Sequence, residues 1–388
     1  MSGSGAVPAY EGAPPADAAR RLLVETSERG TATAGNAGGA ADATGAWAGD
    51  CPVPGAPACT GRGRPGVPLR ATLALGALTV VMGSTVLALG APPREPYLAA
   101  GDSATGSYLT TRADGDQAAA AVLAGPYEEV AGPPVAARRG GGRAAAASPP
   151  SSRPLVAAAA APSPAIGALF SPGDDGDPAH HCTASVVHSP AGDLVVTAAH
   201  CVHDGGFRTR LVFVPGLHDR IAPYGLWVPA RVLVDPRWIS DRDPDHDVAF
   251  LRMRRAGRVG GRIEDLTGAE RIRFDAPAGR PALLTGYPAD QETPVSCRHT
   301  ADAEGPAQLR FDCAGFPNGT SGGPMLTDVD PGTGTGTLIG VVGGLDEGGD
   351  DLTSYSSRFG KDIAALYRRA TAEPAPTPAV RPRAEPRS

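Results

Sequence analysis

Chemistry concentrates in Gly319-Thr320-Ser321-Gly322-Gly323-Pro324, where one serine stands among three glycines. A serine hydroxyl becomes a useful nucleophile only when a base removes its proton. It also needs backbone that can approach a substrate, and glycine, lacking a Cβ, supplies that freedom. The Gly319 and Ser321 amides of such a loop can converge on one point and stabilise an oxyanion. A base is offered by His200 in Thr197-Ala198-Ala199-His200-Cys201, because imidazole titrates nearest neutrality. Asp247 offers the acid that orients it, since it directly precedes the apolar run Val248-Ala249-Phe250-Leu251, which would hold it partly buried. Asp243 and Asp245 are nearby rivals. Without His200 and Asp247, the glycine loop would read equally well as a turn with an incidental serine.

In chain order the three residues run His200, Asp247, Ser321. On TAAHC followed by GTSGGP, the chain resembles the chymotrypsin/trypsin-fold serine peptidases. Within them it is most similar to exported trypsin-like peptidases of actinobacteria. The resemblance implies a serine endopeptidase with an acyl-enzyme intermediate. Ser321 would be the nucleophile, His200 the base, Asp247 its partner, and Gly319 with Ser321 the oxyanion hole. It implies protein or peptide substrates, no cofactor and two six-stranded antiparallel barrels packed face to face, followed by a C-terminal helix. It also implies a Cys182–Cys201 bridge, leaving Cys297 to pair with Cys313. The first bridge would close a loop of about 20 residues and stabilise by about 3 kcal/mol in the chain-entropy model.

Departures from that pattern bear on specificity. The pocket floor, acidic in trypsin-like members, falls on Gly315, with Phe316 next. The pocket wall reads Val342-Gly343-Gly344 and lacks the histidine typical of glutamyl endopeptidases at Val342. The expected preference is therefore a small or medium apolar side chain, not Arg or Lys. Thr320 occupies the place of the acidic residue that pairs with a newly cut N-terminus in animal digestive enzymes, so activation by N-terminal insertion is not expected. A surface-displayed, non-catalytic binding module on the same fold is the alternative reading. The Gly-x-Ser-x-Gly string also matches an α/β-hydrolase elbow, but that elbow needs a helix after the serine, and Pro324-Met325-Leu326 reads as a strand.

Short strand-like runs recur between turn signals from residue 182 to 359, among them Cys182–His188, Trp227–Val234, Asp247–Met253, Gln308–Phe311 and Leu338–Gly343. No helical pattern interleaves with them, which argues for a sandwich or barrel. Lys361–Arg369 has helical period, with Ile363, Leu366 and Tyr367 on one face. These elements set a peptidase domain at residues 163–370. His180-His181-Cys182 looks like a metal tract, but adjacent histidines and a paired cysteine do not share a tetrahedral ion, so no metal is expected. His188, His203 and His246 read as ordinary surface or loop histidines.

The chain has 388 residues with 52 glycines and 40 prolines. Residues 1–70 are too poor in large apolar residues to fold, and Cys51 and Cys59 there lack zinc-site neighbours. Residues 71–93 carry no charge before Arg94 and match a bilayer-spanning length. Arg62, Arg64 and Arg70 precede them, so the positive-inside rule leaves the N-terminus cytoplasmic and exports the rest. Both an uncleaved signal-anchor, holding the protein at the membrane, and a cleaved signal peptide fit. Residues 94–162 read as a disordered linker and 371–388 as a disordered tail. A net charge of −6 makes nucleic acid an unexpected partner. The expected product is an extracellular or cell-surface monomer.

Overall fold

The computed structural model describes residues 97–132, 150–173, 176–258 and 260–372. The segments 1–70 and 71–93, with Cys51 and Cys59, and the tail from 373 lie outside these residues. Among the described residues no helix is long and apolar enough to cross a membrane.

The described residues begin with β1 (Leu98–Ala99), β2 (Ser107–Leu109), α1 (Arg112–Ala124) and β3 (Ala158–Ala159). There follow β4 (Ile166–Pro172), β5 (Pro178–Val186), β6 (Leu194–Thr197), β7 (Phe207–Arg208), β8 (Val212–Pro215) and β9 (Trp227–Val234). The short helix α2 (Pro236–Asp241) precedes β10 (Ala249–Arg255), and α3 (Ile263–Thr267) precedes β11 (Arg271–Ile272). The last set is β12 (Arg280–Gly286), β13 (Val295–Glu304), β14 (Gln308–Asp312), β15 (Pro324–Thr327), β16 (Thr337–Val341) and β17 (Thr353–Ser357). The expected C-terminal helix is α4 (Lys361–Thr371), with Ile363 and Leu366 buried.

The first sheet runs β10-β6-β5-β4-β8-β9 and closes into a six-stranded barrel, because β9 pairs back onto β10 from Val234↔Ala249 to Trp227↔Arg255. Leu169, Val186, Val195, Phe213, Trp227 and Val232 fill it. The second sheet runs β16-β15-β12-β13-β14-β17, with β11 beside β16 and β3 beside β13. It stays open, a half-barrel where a second closed barrel was expected. At the seam the Ser356 hydroxyl accepts the Val341 amide at 2.9 Å, and only Gly343 N to Tyr355 O, at 3.0 Å, bridges backbone to backbone. Gly340 admits that hydroxyl: a Cβ there would lie 2.4 Å from Ser356 Oγ.

The linker expected over 94–162 needs correction. Residues 97–132 and 150–162 are built onto the barrels. β2 extends the first sheet beyond β9 through Ser107↔Leu233 and Tyr108↔Val232. Thr111 caps α1 by accepting the Asp114 amide at 3.1 Å, and Gly115, Ala118, Ala119 and Val122 face the core. The helix buries small residues, so its sequence shows little hydrophobic contrast. It is held by Arg254, whose Nη1 donates to Asp116 Oδ1 and Nη2 to the Arg112 carbonyl, both at 2.6 Å. Residues 150–160 lie along the second sheet, with Ala158 and Ala159 paired to Ser296 and Val295.

One buried acid ties the sheets' connection together. Glu270, 0 % exposed, receives the Gly336 amide on Oε2, while Oε1 has no partner among the described residues. Burial pushes its carboxyl up to about 8, against the pull of the Gly336 amide and Arg271. Its folded pKa thus exceeds the ordinary value of about 4.3, and the folded state binds the extra proton. Stability conferred below that ordinary value is lost as pH rises toward 8. Glu270→Gln keeps an acceptor for Gly336 and cannot ionise. Thermal melts should show it more stable than the wild type at pH 8–9, with the gap narrowing toward pH 5.

Candidate active site

His200 stands in the turn after β6, where the neighbouring Cys201 is bonded to Cys182 on β5 with Cα atoms 6.1 Å apart. The second bridge, Cys297–Cys313, links β13 to the segment after β14. His181, also on β5, braces the same turn. Its Nε2 lies 2.9 Å from the Cys201 carbonyl and its Nδ1 3.1 Å from Ser171 Oγ, so Nε2 carries the proton and donates. Burial holds its pKa down at about 4, keeping the ring neutral. Cys182, His200 and Cys201 present potential ligand atoms within 4.8 Å of one another, but the two sulfurs are joined and no thiolate is free to take a metal.

Asp247 follows a single 3₁₀ turn, Pro244–His246, and leads into β10. It is 0 % exposed and accepts three hydrogen bonds. Oδ1 takes the His200 amide at 2.9 Å, while Oδ2 takes His200 Nδ1 at 2.8 Å and the Gly344 amide at 2.9 Å. Burial works against the charges of both groups, but their attraction wins. His200 sits above the usual imidazole value, raised by Asp247 and further by Glu347, and Asp247 below the usual carboxylate value. The rivals serve elsewhere: Asp243 caps the turn and meets His246 Nδ1 at 2.9 Å, and Asp245 accepts from Gln308 Nε2 at 2.7 Å. Arg242 donates to Asp204 at 2.6 Å and also to Glu347, linking the loops that flank His200.

The Ser321 loop lies directly on β5 and on the turn that carries His200. The Ser321 carbonyl accepts the Thr183 amide at 2.7 Å. Gly322 has φ +79°, and a Cβ on it would sit 2.1 Å from Thr197 Oγ1 and 3.1 Å from the Ala198 amide, so only glycine permits this approach. Gly319 is equally constrained, at φ +97° with a Cβ site 2.2 Å from the Ala289 amide. Peptide geometry then aims two donors. The Asn318 carbonyl accepts from Ala289 N and the Thr320 carbonyl from Gly323 N. In a trans peptide the N–H points opposite the carbonyl, so the Gly319 and Ser321 amides face away from those partners. Neither donates to any described residue, whereas the Thr320, Gly322 and Gly323 amides all do. Thr320 is buried and donates its hydroxyl to its own loop, at Pro317 O. Ile166 is the first residue of β4, its amide bonded to the Ser163 carbonyl.

The pocket residues divide. Val342 exchanges hydrogen bonds with the serine loop, to Gly323 O at 2.8 Å and from Gly322 N at 2.7 Å, while Gly344 holds Asp247. One short segment, Val342-Gly343-Gly344, therefore touches both. A Cβ on Gly343 would lie 2.9 Å from Asp247 Oδ2. Gly315 donates to the Asp351 carbonyl at 3.0 Å, and Phe316 packs into the second core. Ala157 lies against Gly315, so the 150–160 segment backs the expected pocket floor. Sequence reasoning missed Thr183, Tyr287 and Gln308 because their partners lie far off in the chain: the Ser321 carbonyl, the Leu217 carbonyl and the Asp245 carboxylate.

Residues 182–341 match the family model described as the trypsin-like peptidase domain. This segment is a trypsin-like peptidase domain. The protein is thereby placed with the serine endopeptidases, a class of hydrolases acting on proteins and peptides, and a closed barrel beside a half-barrel is the chymotrypsin-like fold. Among solved structures, the peptidase domain is similar to the protease Anisep from Arthrobacter nicotinovorans, with 27 % identity and a TM-score of 0.49, over 56 % of this chain and 100 % of that one. A thermostable serine protease, AL20, from an extremophilic microorganism matches with 28 % identity and a TM-score of 0.47, over 54 % of this chain and 97 % of that one. A Glu endopeptidase matches with 18 % identity and a TM-score of 0.43, over 56 % of this chain and 94 % of that one. No curated protein matches the chain.

Proposed function

We propose that the protein is an exported endopeptidase that cleaves peptide bonds through Ser321, His200 and Asp247. The observation that carries this reading is the buried His200–Asp247 pair. With its Nδ1 proton given to Asp247, the imidazole keeps Nε2 bare to accept a proton from the Ser321 hydroxyl. Ser321 Oγ then attacks the scissile carbonyl, and the oxygen's developing charge is met by the Gly319 and Ser321 amides. Collapse of the tetrahedral adduct expels the amine, which takes its proton from His200. Water repeats the sequence to release the acid. The Gly319 and Ser321 amides need no rearrangement to act, since they lack other acceptors among the described residues.

Gly315 at the pocket floor supports cleavage after small or medium apolar side chains, because it offers no carboxylate to a basic one. The two disulfides and the apolar run at 71–93 support export. The test is labelling of the full chain with a fluorophosphonate probe beside Ser321→Ala, followed by a peptide library. Labelling of the wild type alone is expected, with apolar residues selected on the acyl side of the cut. A folded, disulfide-bonded wild type that takes no label would return the protein to a non-catalytic binding role.

A further inference from the structure

Resting on the reading above, we propose that Thr183 is the positioning residue of the oxyanion hole, fixing the Gly319 and Ser321 donors from the opposite barrel. Thr183 follows Cys182 on β5 and is 0 % exposed. Each of its polar groups is engaged. Its amide donates to the Ser321 carbonyl at 2.7 Å, and its carbonyl accepts Thr197 Oγ1 at 2.8 Å. Its hydroxyl donates to the Gly319 carbonyl at 2.9 Å and accepts the Tyr287 amide at 2.7 Å.

The pattern has a geometric consequence. Every donor in the hole is a peptide N–H whose direction depends on the peptide units before and after its residue. Before Gly319, the Asn318 carbonyl is held by Ala289; before Ser321, the Thr320 carbonyl is held by Gly323. After both residues, the carbonyl is held by Thr183, once by its hydroxyl and once by its amide. Gly319 is where such a hold matters most, because a glycine at φ +97° has no side chain to resist rotation. Thr320 contributes nothing to it, its hydroxyl being spent on Pro317. Without the Thr183 hydroxyl, the buried Gly319 carbonyl loses its hydrogen-bond donor and the Tyr287 amide its acceptor. Gly319 is then pinned only on its Asn318 side, by Ala289, and relaxation of the following peptide lets the Gly319 N–H drift from its aim.

The test uses the full chain with Thr183→Val, which removes the hydroxyl at constant shape, and Thr183→Ser, which restores it. Two readouts are compared: kcat and KM for a peptide ester, and the inhibition constant of a peptide boronic acid, whose adduct with the serine places an oxygen in the hole. Thr183→Val should lower kcat about 10²-fold, the scale of one lost oxyanion donor. KM should stay within about twofold, and boronate affinity should fall in step with kcat. Thr183→Ser should recover to within about threefold of wild type. Should valine prevent folding, Thr183→Ala carries the same expectation. A folded hydroxyl-free variant with unchanged kcat, or one that loses kcat while binding boronate normally, overturns the proposal. Fluorophosphonate labelling of the wild type keeps the two readings apart. A labelled wild type with an indifferent Thr183 variant defeats only the positioning role, whereas an unlabelled wild type defeats both.

Discussion

Ser321→Ala is expected to lower kcat on a peptide substrate by about 10⁶-fold, and adding His200→Ala to cost little more. The two side chains act as one unit in the proposed reaction: the hydroxyl is a poor nucleophile without the base, and the base has nothing to deprotonate without the hydroxyl. Each single variant should therefore reach nearly the same floor. What remains above the uncatalysed rate belongs to the two amides and to substrate binding, both untouched by the change. Little structural loss is expected from Ser321→Ala, because the loop is held by main-chain bonds to Thr183, Val342 and Pro317. Fluorogenic peptide kinetics on the double and both single variants, with melting temperatures alongside, provide the check. Additive losses in the double variant, or more than about 1 % activity left in Ser321→Ala, would place the nucleophile elsewhere.

How much of this was legible in the sequence differs by element. β9 was read to the residue as Trp227–Val234, and β14, β15 and α4 within one or two residues, since the strands are short apolar-rich runs and α4 places Ile363 and Leu366 on one buried face. β13 was missed: Val295, Cys297 and Ala301 do alternate with more exposed positions, but Arg298, His299 and Thr300 disguise the pattern. β4 was missed because Gly167 and Ala168 are small where strands usually show bulk; a Cβ on Gly167 would lie 2.1 Å from the Val214 carbonyl. The ordered N-terminal extension escaped notice for a related reason. Alanine-rich α1 packs by closeness instead of by size, and its one local sign was the Thr111–Asp114 cap. At the site, residue type and order picked out His200, Asp247 and Ser321, and the structure joins the first two directly. Thr183 could not be found this way. Its importance lies in four partners more than ten residues away in sequence, and nothing local distinguishes it from any buried strand threonine.

Asp247→Asn is expected to lower kcat by about 10⁴-fold near neutral pH while leaving the fold intact. The three bonds into this carboxylate all come from N–H donors, and an amide can present oxygen to only one side. With its oxygen on the Oδ2 side, its NH₂ meets the His200 amide, donor against donor. With its oxygen on the Oδ1 side, its NH₂ faces His200 Nδ1, which must then give up its proton and accept. The proton moves to Nε2, the atom that should be bare, and the base can no longer receive from Ser321. The pH profile carries a second signature. In the wild type Asp247 holds His200 above its ordinary value of about 6.5. Since only neutral imidazole is a base, kcat/KM should fall as pH drops through that raised value. Asparagine removes the attraction and leaves burial to act alone, so the limb of whatever activity remains should move to lower pH. Profiles of kcat/KM between pH 4 and 9 measure both effects. An unmoved limb, or a loss under tenfold, would mean that the pair seen at 2.8 Å does not set the state of the base.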